Sequence, residues 1–122
     1  MPPPVDWSLP PRERVAALLR WIWTSMGSQD DMWRLLLGES LRSDPQAITS
    51  AAELSVTFER ALDEWLATYF TDLPAEPRTT ARVLRGLIYG FFIEHLALPA
   101  ADRDPILAKR ADEVAAVVVP VA

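Results

Sequence analysis

The sequence contains no cysteine, one histidine and four glycines among 122 residues. Without thiols there is neither a disulfide framework nor a cysteine-ligated zinc or iron–sulfur site. The single imidazole, His95, leaves histidine metal sites and Ser-His-Asp or Cys-His relays with at most one candidate centre. Catalysis is therefore not expected, and no catalytic residue, metal or cofactor is assigned. Positive charge is also scarce: 12 Lys and Arg against 17 Asp and Glu give a net charge of −5 and a pI near 4.8. That balance opposes a phosphate backbone, so this chain alone is not expected to bind nucleic acid. Long apolar runs are missing too. The most apolar stretch, residues 83–101, is interrupted by Arg85, Glu94 and His95, whereas a membrane span needs about 20 apolar residues. The N-terminus Met-Pro-Pro-Pro-Val-Asp lacks the basic-then-apolar order of a secretory signal. No membrane association is expected, and the cytoplasm is the expected location.

What the chain does have is apolar content, 50%, and proline, 11 residues. This length suits one domain, which buries roughly two thirds of its unfolded surface. Nearly every proline falls between stretches whose apolar residues recur at helical spacing, so the prolines punctuate helices rather than break them. Five segments follow, at about 10–26, 29–42, 45–70, 77–98 and 104–119. No strict two-residue alternation and no Asn-Gly or Asp-Gly hairpin signal occurs, so the chain reads as all-α, a bundle of about five helices. Residues 1–9 form a proline-rich N-terminal segment and residues 10–122 the helical domain.

In the first segment Ser8 is a candidate cap, Pro10 and Pro11 suit the first turn, and Gly27 suits a left-handed C-terminal position. Val15, Leu18, Leu19, Ile22 and Met26 share one stripe at about 100° per residue, and Trp21 points well away from it. The second segment groups Trp33, Leu36, Leu37 and Leu41, with Glu39 and Arg42 as a structural pair. The third places Leu54, Phe58, Leu62, Trp65 and Tyr69 on one face.

The fourth segment is apolar on two sides. Leu84, Leu87, Ile88, Phe91 and His95 make one face. Tyr89, Phe92, Ile93 and Leu96 lie opposite, with Gly86 and Gly90 alongside. A helix apolar all round must be buried all round. The fifth segment adds a second strong stripe of Leu107, Ala111, Val114, Val117 and Val118. The surplus suggests a homodimer in which these two helices meet their copies as a four-helix bundle, with the glycines permitting close approach. The alternative is that the fourth helix is merely central. Arg78, Arg82 and Arg85 crowd its N-terminus, where the macrodipole disfavours cations. They call for acidic partners such as Asp63 or Glu76, or for an anion.

The run LLLGESLRSDP, then FERALDEWLATYF, then PRTTARVLRGLIYGFFIEHLAL resembles the C-terminal regulatory domain of TetR-family transcriptional repressors. Glu39, Arg42 and Pro45 fall at its acidic, basic and helix-opening positions. Ala81, Arg82, Leu84, Gly86, Leu87 and Gly90 follow its Ala-Arg-x-Leu-x-Gly-Leu-x-x-Gly pattern. The likeness covers about residues 11–119. It implies a helical domain that binds a small effector inside the bundle and dimerises through its last two long helices. The family's helix-turn-helix has no counterpart before Pro10, so the chain reads either as an excised regulatory domain or as a stand-alone relative.

The inward stripes converge on one interior. Ile22 and Met26 come from the first segment, Trp33 and Leu36 from the second, and Phe58, Leu62, Trp65 and Tyr69 from the third. Phe91 and His95 come from the fourth. A mostly apolar cavity with a few polar tips suits a small apolar or aromatic effector, although such stripes also build plain cores. Five tryptophans in 122 residues favour a lined pocket or an interface. His95 reads first as a core histidine satisfied by a hydrogen bond and second as an effector contact. The expected dimer contacts are Gly86, Tyr89, Gly90, Phe92, Ile93 and Leu96, with Leu107, Ala111, Val114 and Val118. Asp63–Glu64 and similar neighbours diverge by about 100° on a helix and form no acid/base dyad. The rival reading is a helical interaction module that homo- or heterodimerises without sensing a ligand.

Overall fold

The computed structural model describes residues 3–29, 31–34 and 45–120, and their regular structure is entirely helical. Among the described residues four helices, α1 (Pro11–Gly27), α2 (Pro45–Tyr69), α3 (Pro77–Glu94) and α4 (Ala100–Val118), are accompanied by a helical stretch at residues 31–34, most of the expected second segment, 29–42, lying outside them. Three of them begin at the prolines that the sequence marks as starts, because a fixed φ and a missing N–H suit the first turn.

The helix ends differ from expectation in three places. The residue preceding α1 is Pro10, without a side-chain cap. Ser8 instead turns back on Asp6, whose carboxylate accepts from the Ser8 amide at 3.0 Å and hydroxyl at 2.6 Å. Gly27 ends α1 before Ser28, which keeps right-handed helical angles. Its value is room: a Cβ there would stand 3.3 Å from Nη2 of Arg103. Finally, α4 starts at Ala100, earlier than expected, and carries Pro105 within its second turn.

Helix α1 packs most extensively on α4, and α2 on α3. Cross-links fix the first pair as antiparallel. Arg12 Nε donates to the Val119 carbonyl at 2.9 Å, Arg20 meets Asp112 at 2.9 Å, and Gly27 lies against Arg103. Arg103, fully buried, sets its guanidinium 5.3 Å from the Phe92 ring. A cation beside the end of α1 also opposes that helix's negative pole.

The α1 stripe of Val15, Leu18, Leu19, Ile22 and Met26 is buried as expected, against Leu107, Ala111 and Val114 of α4 and Leu84, Ile88 and Phe92 of α3. This changes the standing of α4. Leu107, Ala111 and Val114, together with Phe92, had been expected at a subunit interface, yet each is 0–5% exposed within the single chain. A helix with one apolar stripe cannot offer it twice, and α1 already covers it. The uncharged, non-polar residues that α3 leaves exposed are Val83, Gly86, Gly90 and Ile93.

The basic stripe of α3 also finds a different partner. Glu59 on α2 stands 3.5 Å from Arg82 and 3.2 Å from Arg85, one turn before the expected Asp63. Among the described residues no helix is long and apolar enough to cross a membrane, and no cluster of His, Asp and Glu is arranged to hold a metal.

Candidate ligand-binding site

An aromatic-walled cavity of about 140 Å³ lies where the C-terminal half of α1 meets α2 and α3. Helix α1 contributes Trp21, Ile22, Ser25 and Met26. Gln29 and Trp33 follow it, Phe58 and Trp65 come from α2, and Tyr89 from α3. Each wall element faces the gap because helical spacing repeats: Trp21 and Ser25, like Ile22 and Met26, are one turn apart.

The rings meet at angles rather than face to face. Trp21 and Trp65 are 5.7 Å apart at 72°, Trp33 and Tyr89 5.7 Å at 57°, and Phe58 and Tyr89 5.6 Å at 55°. Edge-to-face pairs are favourable in themselves, but tilted plates touch along edges and leave space between them. Among the described residues no Asp, Glu, Lys, Arg or His lines the cavity. The polar residues at its edge, among those described, are Ser25, Gln29 and Tyr89. The Trp33 indole nitrogen is buried and meets no hydrogen-bond acceptor among the described residues.

Of the ten residues proposed from sequence, Ile22, Met26, Trp33, Phe58 and Trp65 line this cavity. Leu36 lies outside the described residues, as do Glu39 and Arg42. Leu62 is fully buried and belongs to the core instead. Tyr69 is not at the cavity but stacks on Trp7 at 4.2 Å. Phe91 meets Trp23 edge-on at 6.3 Å, and His95 terminates α3 with a buried Nε2 that has no partner.

The physical reason is depth. Periodicity assigns a face of a helix, whereas a cavity occupies a limited stretch of its length. Phe58 and Tyr69 share a face of α2 but stand roughly 16 Å apart along its axis.

Trp21, Ser25, Gln29 and Tyr89 are the lining residues that the stripes omit. They flank the apolar stripes, and a gap between three elements is bounded by flanks as much as by centres. Trp21 points away from the α4 side, which directs it onto Trp65. Tyr89, expected at the dimer face, is half-buried and contacts both Trp33 and Phe58.

Of the remaining expected dimer contacts, Leu96 and Val118 are half-buried, while Gly86, Gly90 and Ile93 are exposed. The chain matches no protein-family model, no curated protein and no solved structure.

Proposed function

We propose that this chain is the effector-binding and dimerisation domain of a TetR-like transcriptional regulator, sensing a small uncharged aromatic or apolar molecule. The observation that carries the reading is the aromatic cavity shared by α1, α2 and α3, whose described lining residues carry no charge. A ligand there touches three helices at once, so its affinity depends on their relative placement. By linkage it favours whichever placement it binds better. Helix α3 bears both a cavity residue, Tyr89, and the outward row Val83, Gly86, Gly90 and Ile93. It would therefore carry the bias from the ligand to a partner subunit.

Tryptophan fluorescence and thermal shift against a panel of neutral aromatic compounds test this directly. Trp21, Trp33 and Trp65 line the cavity, so quenching or enhancement with saturation, together with a raised Tm, is expected for at least one member. Ser25→Leu would fill the gap from its rim. It should abolish the response while leaving stability within about 1 kcal/mol of the parent.

A second reading, a dimerising interaction module without ligand sensing, is favoured by the outward row itself. A Cβ added at Gly86 or Gly90 would meet nothing within 4 Å in the single chain, so the isolated fold has no steric need for either glycine, and a partner's close approach would supply one. The dimer is common to both readings. Sedimentation should give a dimer at micromolar concentration, and Gly86→Leu should give a monomer of equal or greater stability, since leucine favours a helix over glycine by up to about 1 kcal/mol. A monomeric parent would sink the dimer; a dimer indifferent to the whole panel would favour the second reading.

A further inference from the structure

The arginine stripe of α3, which the aromatic cavity does not use, lines a cleft of its own. Between α2 and α3 a space of about 320 Å³ is bounded by Val56, Glu59, Arg60 and Asp63 of the one helix and by Arg78 and Arg82 of the other. Its size falls within the roughly 300–1,000 Å³ of small-molecule clefts, but five of these six lining residues are charged, the reverse of the aromatic cavity. Arg60, Arg78 and Arg82 are all exposed, so a solute reaches their guanidinium groups without opening the fold.

Positive charge is in excess here. Glu59 stands 3.5 Å from Arg82 and 3.2 Å from Arg85, so one carboxylate serves two cations. Asp63 is the second carboxylate in the wall. Counting Arg85, four arginines face two carboxylates among the described residues. Arg78 and Arg82 are one turn apart on α3, where like charges oppose one another. The whole chain is negative, at −5, but salt screens exposed charges beyond roughly 8 Å. An anion in the cleft therefore responds chiefly to the arginines around it.

A guanidinium is a planar fork of donors that matches an oxyanion two bonds at a time. A carboxylate has oxygens for one such fork. A phosphate group presents acceptor oxygens on several sides and carries up to about two negative charges, so forks from two helices reach it together and the local excess is neutralised. We propose that the cleft between α2 and α3 binds a small phosphate-type dianion through the guanidinium groups of Arg60, Arg78 and Arg82. Bound there, the anion joins α2 to α3 beside the Glu59 bridge. The site is separate from the aromatic cavity and does not depend on that cavity's occupant.

Sodium phosphate titrated into the full chain at slightly alkaline pH, with ionic strength held constant by sodium chloride, provides the test. Backbone amide signals of residues 59–63 and 78–82 in ¹⁵N–¹H spectra should shift to saturation and Tm should rise, neither of which chloride alone produces. Arg60→Gln and Arg78→Gln should each weaken binding at least about fivefold. Arg110→Gln removes the same charge from α4, where Arg110 pairs with Glu113, and should leave affinity within about twofold, since its effect is screened. Asp63→Asn removes a repelling charge from the wall and should tighten binding about threefold, and it decides alone if either arginine variant fails to fold.

Glycerol 3-phosphate separates the two sources of such a group. Tighter binding than inorganic phosphate assigns the cleft to a phosphate ester, and equal or weaker binding assigns it to the free ion. A response that chloride reproduces overturns the proposal. So do Arg60→Gln and Arg78→Gln variants that bind as the parent does, an Arg110→Gln variant weakened as much as they are, or an Asp63→Asn variant that gains nothing.

Discussion

Two aromatic clusters sit at opposite ends of the contact between α1 and α2, and they are built on opposite rules. At one end Trp7 stacks on Tyr69 with centroids 4.2 Å apart and planes within 9°, and Phe70 meets Trp7 edge-on. Parallel plates at that spacing leave no room. At the other end Trp21, Trp65, Trp33, Phe58 and Tyr89 meet at 55–72° and line an open-sided gap of about 140 Å³.

Polar groups divide the same way. Arg14, 7% exposed, is satisfied at every arm. Its Nε donates to the Leu9 carbonyl at 2.8 Å, Nη1 to the Tyr69 carbonyl at 2.7 Å, and Nη2 to Asp72. Trp33, 8% exposed, has one donor and no acceptor for it. The difference teaches which end holds the fold together and which has capacity left for a ligand. The closed end leaves no gap between its rings and pairs every arm of its buried cation, whereas the open end keeps a gap and an indole N–H of Trp33 without an acceptor among the described residues.

The comparison breaks most readily at Arg14. Arg14→Met keeps a stem to pack near Phe70 but strands the Leu9 and Tyr69 carbonyls and unpairs Asp72. A loss of about 3 kcal/mol is expected, since hydrogen bonds to a buried charged group are worth roughly 1.5–3 kcal/mol each and part is recovered by water at the exposed Asp72. Urea denaturation measures it. Trp33→Phe is the matched change at the open end. It deletes an unsatisfied donor along with some packing, so a cost of about 1 kcal/mol or less is expected. If the two variants cost the same, the distinction between a closed end and an open one fails.

Much of this was legible in the sequence, and what was not follows from one property of helices. Proline positions located the starts of α1, α2 and α3, and the stripe from Val15 to Met26 identified a buried face. A stripe, however, reports only that a face is covered, not what covers it. Leu107, Ala111 and Val114 read as surplus surface because nothing local says that α1 will lie along them. Phe92 reads as outward for the same reason, although Trp33 and Arg103 close over it. The cavity was half legible. Ile22, Met26, Trp33, Phe58 and Trp65 carry it, but Tyr69 shares their periodicity and none of their depth. Trp7 escaped notice because the proline-rich segment around it has no periodicity from which to infer packing, yet it forms the tightest ring contact among the described residues.

The smallest expected effect lies in the turn that delivers Trp7 to the closed end. The two hydrogen bonds from Ser8 favour the ionised Asp6 carboxylate and hold it below the ordinary value of 3.8, against a smaller opposing contribution from desolvation. A carboxyl group lowered in the folded state contributes stability that is complete above its unfolded value and lost as pH falls through the lowered one. Asp6→Asn keeps an acceptor oxygen but removes the charge. The parent should therefore exceed Asp6→Asn in stability near neutral pH by less than either change at Arg14 or Trp33, because Asp6 is fully solvated. The margin should close as the solution is taken well below 3.8, where Asp6 is protonated in both states. Paired denaturation curves at neutral and strongly acidic pH measure the two margins. A margin that survives acid would mean that the turn depends on the shape of Asp6 rather than its charge, and that the closed end is fastened by Arg14 and stacking alone.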